Sequence, residues 1–148
     1  GKGVMEKSGV VGSEHTQYYV RRSGQFIYSK LDFLNAAFGV IPDQLNGFES
    51  TADLPAFDVK NLNANFLLLR ATQKSFYLTF GMVADGSRKA KRVHANTFLE
   101  MPLLVPCVEE QCAIAALFAR LDSLITLHQR EVDILKNVKQ GLLDKMFV

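Results

Sequence analysis

Between Glu109 and Met146 the chain contains no proline and a single glycine, Gly141, and its apolar residues recur at spacings of three and four. Ile114, Leu117, Leu121, Ile125, His128, Val132, Leu135, Val138, Leu142 and Met146 fall on one stripe, which predicts a single long helix. Glu109 and Glu110 stand in its first turn and Lys139 and Lys145 near its other end, the arrangement that suits the helix dipole. At 1.5 Å per residue the helix is roughly 55 Å long, more than the diameter of the domain that precedes it. A helix that overhangs its own domain needs another helix to cover its stripe. The alternative is a helix folded back over its own sheet.

The residues before this tract have a different texture. Tyr18-Tyr19-Val20 leads through the turn Ser23-Gly24 into Phe26-Ile27-Tyr28, two strand-forming runs around a breaker. Residues 42–58, with Pro42, Asn46, Gly47, Ser50 and Pro55, carry no sustained period and are expected to form a loop. Phe66-Leu67-Leu68-Leu69 and Phe76-Tyr77-Leu78 bracket Gln73-Lys74, and runs this short are compatible with strands or with a buried helix. Asp85-Gly86-Ser87 is a turn signal. Phe98-Leu99 and Met101 to Pro106 are expected to form a last extended segment, because Pro102 and Pro106 exclude a helix interior.

With 148 residues and 16.5 kDa the chain has room for one ordinary domain. Hydrophobic residues at 48% and charged residues at 22% suffice for a packed core and exclude wholesale disorder. The longest apolar runs fall far short of the roughly 18 residues that a membrane span needs. No signal peptide opens the chain, which begins Gly1-Lys2-Gly3, so an upstream segment is expected to be missing. Two cysteines, Cys107 and Cys112, make no disulfide framework, and the expected compartment is the reducing cytoplasm. Charge is uneven: residues 1–99 hold 12 Lys/Arg against 8 Asp/Glu, and residues 100–148 hold 5 against 7. A basic first part and a slightly acidic tail allow a polyanion partner for one and a protein partner for the other.

The second half closely resembles the DNA specificity subunit of type I restriction–modification systems. The residues that carry the likeness are Leu103-Leu104-Val105-Pro106, then Glu110-Gln111, Ile114 and Leu121-Asp122-Ser123-Leu124-Ile125-Thr126-Leu127-His128-Gln129-Arg130. Leu135-Lys136 and Lys139-Gln140-Gly141-Leu142-Leu143-Asp144-Lys145-Met146-Phe147 complete the ordered run. Upstream, Tyr19-Val20 with Ser23 to Tyr28 resembles the strand-turn-strand of that family's target recognition domains. The resemblance implies an α+β chain: a compact, β-rich mixed recognition domain over residues 1–106, without its usual start, and a long C-terminal helix over residues 107–148. That helix would form an antiparallel coiled coil, either as a half-length member restored by a second copy or as a fragment joined to the other half. It also implies a non-catalytic recognition subunit that reads one half of a bipartite double-stranded DNA site and scaffolds methyltransferase and restriction subunits. No cofactor is expected. The pairing residues would be Leu117, Leu121, Ile125, His128, Val132, Leu135, Val138 and Leu142, with His128 and Lys139 either fixing register within the seam or snorkelling at its edge.

The foremost DNA-contact candidates are Arg88, Lys89, Lys91 and Arg92, four cations in five residues just after a glycine turn. Flexible cations suit phosphates, and arginine also reaches guanine O6 and N7 bidentately. Lys30, Arg21, Arg22 and Lys74 are secondary candidates. The competing reading is a solvated charged loop. Tyr28 and Tyr77 are expected in the core or at its rim rather than as base-stacking platforms.

Catalytic patterns are sparse. Pro42-Asp43 followed by Asp58-Val59-Lys60 matches the loose spacing of metal-dependent nucleases, but in a stretch without adjacent strands. The sequence has no glycine-rich cofactor loop and no Asn-Pro-Pro-aromatic run for a flipped adenine. Cys107 and Cys112 lack a second ligand pair and are expected to pack as small apolar residues, and His15, His94 and His128 stand in no triad order. No metal site is therefore expected. The competing functions are a helical assembly adaptor that binds no DNA and, more remotely, a metal nuclease.

Overall fold

The computed structural model describes residues 4–6, 15–82 and 92–147. It divides into two units, Gly1–Cys112 and Ala113–Val148, so the first turn of the long helix belongs to the first unit rather than to the tail. The architecture is mixed α+β, with two small antiparallel sheets and a long C-terminal helix. No helix among the described residues is long and apolar enough to cross a membrane.

Both early runs are strands, β1 (Tyr18–Val20) and β2 (Phe26–Tyr28), but they do not pair with each other. Gly24, at φ 80, makes the intervening turn, a conformation that side chains with a Cβ rarely adopt. Its N–H donates to the Ile41 carbonyl at 2.9 Å, which sends the chain out of one sheet and into the other. β2 lies between β3 (Phe38–Val40) and β5 (Ala56–Phe57), antiparallel to both, with Ile27 opposite Gly39 and Ala56. β1 pairs with β4 (Glu49–Thr51), Tyr19 facing Ser50. Residues 42–58 are therefore not a loop: they hold a 3-10 turn at Asp43–Leu45 and both β4 and β5. Strands of two or three residues are too short to display a period of two, which hides them from pattern reading.

The two ambiguous apolar runs are helices, α1 (Ala64–Ala71) and α2 (Lys74–Gly81). Asn63 caps α1, its Oδ1 accepting from the Phe66 N–H at 3.0 Å. α1 packs on β2 and β3, and α2 packs on the 3-10 turn Phe33–Asn35. There Gly81 permits the close approach, since a Cβ at that position would lie 2.5 Å from Leu34 Cδ2. Phe98 and Leu99, expected to be extended, close a short helix, α3 (Ala95–Leu99), while Met101 to Pro106 has no regular structure. The prolines govern only their own neighbourhood, and Phe98 instead follows the core.

That core is aromatic. Phe26, Tyr28, Phe33, Phe38, Phe76 and Phe98 are all buried. Tyr28 sits at its centre, 1% exposed, with ring centroids 4.7 Å from Phe98, 5.6 Å from Phe33 and 6.3 Å from Phe57. Mutually tilted and stacked rings at such separations add to the burial of apolar area. The Tyr28 hydroxyl donates to the Val93 carbonyl at 3.0 Å, and burial pushes its phenol well above the ordinary tyrosine range. Tyr28 is thus a core residue, and Tyr77 lies half-buried against it.

The final helix, α4 (Val108–Met146), has 39 residues, about 58 Å at the standard rise. Gln111, 1% exposed, fastens its first turns within the first unit. Its Oε1 accepts from the Asn63 N–H at 2.9 Å and its Nε2 donates to the Pro106 carbonyl at 2.8 Å. Along residues 117–146 the large apolar side chains are exposed, Leu135 at 66% and Leu142 at 55%. Cys107 and Cys112, expected to pack as apolar residues, are also exposed; Cys112 Sγ accepts from Asn63 Nδ2 at 3.4 Å.

Candidate nucleic-acid interface

Three of the cationic positions singled out in the sequence converge on one short segment, Asp53-Leu54, which follows β4. The Lys30 N–H donates to the Asp53 carbonyl at 2.9 Å, and the Lys30 carbonyl accepts from the Val93 N–H at 3.1 Å. Arg92 Nη1 lies 3.5 Å from Asp53 Oδ1, both side chains about half exposed. Arg21 Nη2 donates to the Leu54 carbonyl at 2.8 Å. The residue that ends the basic run is thus tied by its neighbour Val93 to the backbone of Lys30, although the two are far apart in sequence. Arg88, Lys89 and Lys91 lie outside the described residues, as does the Asp85-Gly86-Ser87 turn.

The cations differ in what they can offer a phosphate. Lys30 is half-buried, and its backbone bridges Asp53 and Val93 through its N–H and its carbonyl. Arg92 is exposed, and its pairing with Asp53 is a surface ion pair that a phosphate can displace. Arg22 is exposed and bound to Asp58, Nη2 to Oδ2 at 2.6 Å. Arg21 departs most from its expected role. Its Nε donates to Ser50 Oγ at 2.7 Å and its Nη2 to the Thr51 and Leu54 carbonyls, so the guanidinium closes the end of β4. Burial lowers its pKa from the ordinary arginine value. A planar fork with five donors is suited to tying up orphan carbonyls, and sequence alone does not distinguish that task from phosphate binding. Lys74 opens α2, exposed, and none of these hydrogen bonds includes it.

Asp58 of the nuclease-like spacing has both carboxylate oxygens occupied. Oδ1 accepts from Gln25 Nε2 at 2.9 Å, and Oδ2 takes the Arg22 bond. The Gln25 hydrogen bond first, then Arg22, holds its carboxyl below the usual range. Asp43 accepts from the Ser23 hydroxyl. Both carboxylates therefore brace the Ser23-Gly24 turn region. Among the described residues no group of three or more His, Cys, Asp or Glu side chains is placed to hold a metal ion.

The predicted pairing residues all lie on α4 beyond its anchored start. Leu117, Leu121, Ile125, Val132, Leu135, Val138 and Leu142 are each more than 40% exposed, and the His128 side chain is 70% exposed. His128 Nδ1 lies 2.9 Å from Glu131 Oε2 one turn on. The residue that pattern reading missed is Gln111. It was visible only as half of the Glu110-Gln111 pair, and its burial with two satisfied hydrogen bonds marks it as the fastening of the helix start. Compared with protein-family models, with curated proteins and with solved structures, the chain has no match.

Proposed function

We propose that this chain is a DNA-reading subunit of a type I restriction–modification complex, recognising one half of a bipartite site and carrying no chemistry of its own. The observation that carries this reading is the ordered run from Leu103 to Phe147, with its prolyl entry, Glu-Gln pair and Gly-Leu-Leu close. Two features support it. The helix in that run presents an apolar stripe to solvent, as a scaffold for other chains requires. Lys30 and Arg92 meet at Asp53, and two cations brought together from distant parts of the chain suit duplex phosphates. The methyltransferase and restriction subunits would supply the reactions, and the chain would act in the cytoplasm.

The exposed stripe by itself equally suits an assembly adaptor that never touches DNA. Salt separates the two. Binding of the purified chain to duplex DNA should weaken steeply as salt rises, log K falling by about 0.9 per phosphate contact for each decade of salt. A chain with no salt-sensitive affinity for duplex DNA is the adaptor.

A further inference from the structure

The positive charge of the chain is concentrated in one stretch. Residues 59–99 hold 7 Lys/Arg against 1 Asp/Glu, whereas residues 1–58 and residues 100–148 each hold 5 against 7. That stretch contains α1 and α2, and no acidic side chain stands in either helix or in the turn between them. α2 also has two sharply different sides. Phe76 and Gly81 are buried, and Tyr77 and Phe80 are half-buried against the aromatic core, so this side is committed to packing. The opposite side carries Lys74, Ser75, Leu78 and Thr79, all exposed, with Gln73 exposed just before them. We propose that α2 is the base-reading helix of the chain, lying with this face in the major groove of duplex DNA.

Size and chemistry both fit that groove. A helix with its side chains is about 10–12 Å across, and the major groove of B-DNA is about 12 Å wide. Eight residues rise about 12 Å, the length of three to four base pairs. A lysine at position 74 can donate to guanine O6 and N7, a serine at 75 can pair with a donor or an acceptor, and the methyl groups of Leu78 and Thr79 suit the thymine methyl. At the head of the helix Arg70 Nη1 donates to Gln73 Oε1, which orients an amide of the kind that reads adenine. Leu78 is the one large apolar side chain among these exposed residues, so the face lacks the hydrophobic centre of a protein interface. α2 packs on the 3-10 turn Phe33–Asn35, which begins three residues after Lys30, within the same unit as the Lys30, Asp53 and Arg92 cluster. Phosphate contacts from that cluster would fix register while α2 reads bases.

The assignment rests on the proposed DNA reading and names the element that performs it. Duplexes recovered by the full chain from a randomised pool supply a consensus, and a scrambled duplex of the same length supplies the reference. In a chain carrying Gln73→Ala, Ser75→Ala and Thr79→Ala, affinity for the consensus duplex should fall about 10- to 100-fold. Affinity for the scrambled duplex and its salt dependence should stay as they were, because no cation has been removed, and that retained affinity reports an intact fold. A second selection with the variant should recover a consensus relaxed over three to four base pairs. The same consensus with the same preference would overturn the role of α2 and leave the DNA reading standing. Equal weakening on both duplexes would also overturn it, since the face would then position the backbone without reading bases. A wild-type chain that recovers no consensus would overturn the DNA reading itself, and the role of α2 with it.

Discussion

Tyr28 concentrates the residue-scale physics of the first unit. Its ring fills the centre of the aromatic core while its hydroxyl satisfies the Val93 carbonyl, next to the cation Arg92. The folded state favours the neutral phenol, so its contribution to stability is complete below the ordinary tyrosine value of about 10 and is lost as pH rises above it. Thermal melts should show an alkaline fall in stability that Tyr28→Phe flattens, while that variant loses about 1 kcal/mol at neutral pH for the abandoned hydrogen bond. Phe98→Ala should cost about 3–5 kcal/mol by denaturant titration, because it removes a ring stacked on Phe26 and Phe57. At this scale the sequence was informative about identity and less so about duty. The aromatic character of Tyr28 predicts burial. Nothing in Arg21 distinguishes a strand-closing arginine from a DNA contact, since that distinction lies in Ser50, Thr51 and Leu54, some 30 residues away.

At the scale of elements, length decides what can be read from sequence. α4 repeats its pattern over ten turns, and its expected start at Glu109 and observed start at Val108 differ by one residue. β4 and β5 have three and two residues, and their pairing is specified by backbone partners distant in sequence, so they read as loop. Phe98 turned helical because the five residues Ala95–Leu99, between His94 and Pro102, suffice for one helical turn packed on the core. Gln111→Ala should strand the Asn63 N–H and the Pro106 carbonyl, costing about 1–3 kcal/mol and raising amide exchange at the start of α4 and the cap of α1. Farther along, Leu135→Asp should abolish self-association without changing helix content, as sedimentation and circular dichroism would report. An unchanged dimer would remove Leu135 from the seam.

The whole molecule consists of a mixed α+β unit and a long helix, to which the proposed function assigns reading and joining. The division was legible from the change of texture at Pro106, although the first unit keeps the helix up to Cys112, through a glutamine whose burial no periodicity announces. The basic candidates were legible as charge, while their meeting at Asp53 depends on a fold that brings position 92 to position 30. On the proposed reading, the purified chain supplied with Mg²⁺ and S-adenosylmethionine should neither cut nor methylate duplex DNA; cleavage abolished by Asp58→Ala would instead make it a nuclease. Charge reversal of Arg88, Lys89, Lys91 and Arg92 to Glu should weaken DNA binding and flatten its salt dependence without unfolding the chain.

Selection from a pool of randomised duplexes asks whether the chain reads a DNA sequence, as proposed. Repeated binding and recovery by the purified chain should enrich one short consensus, present as two inverted copies at fixed spacing when the chain is paired through α4. The Arg88, Lys89, Lys91 and Arg92 reversal should abolish the enrichment. A pool that stays random through successive rounds, with the chain folded and binding DNA no better than a neutral protein does, would contradict that reading.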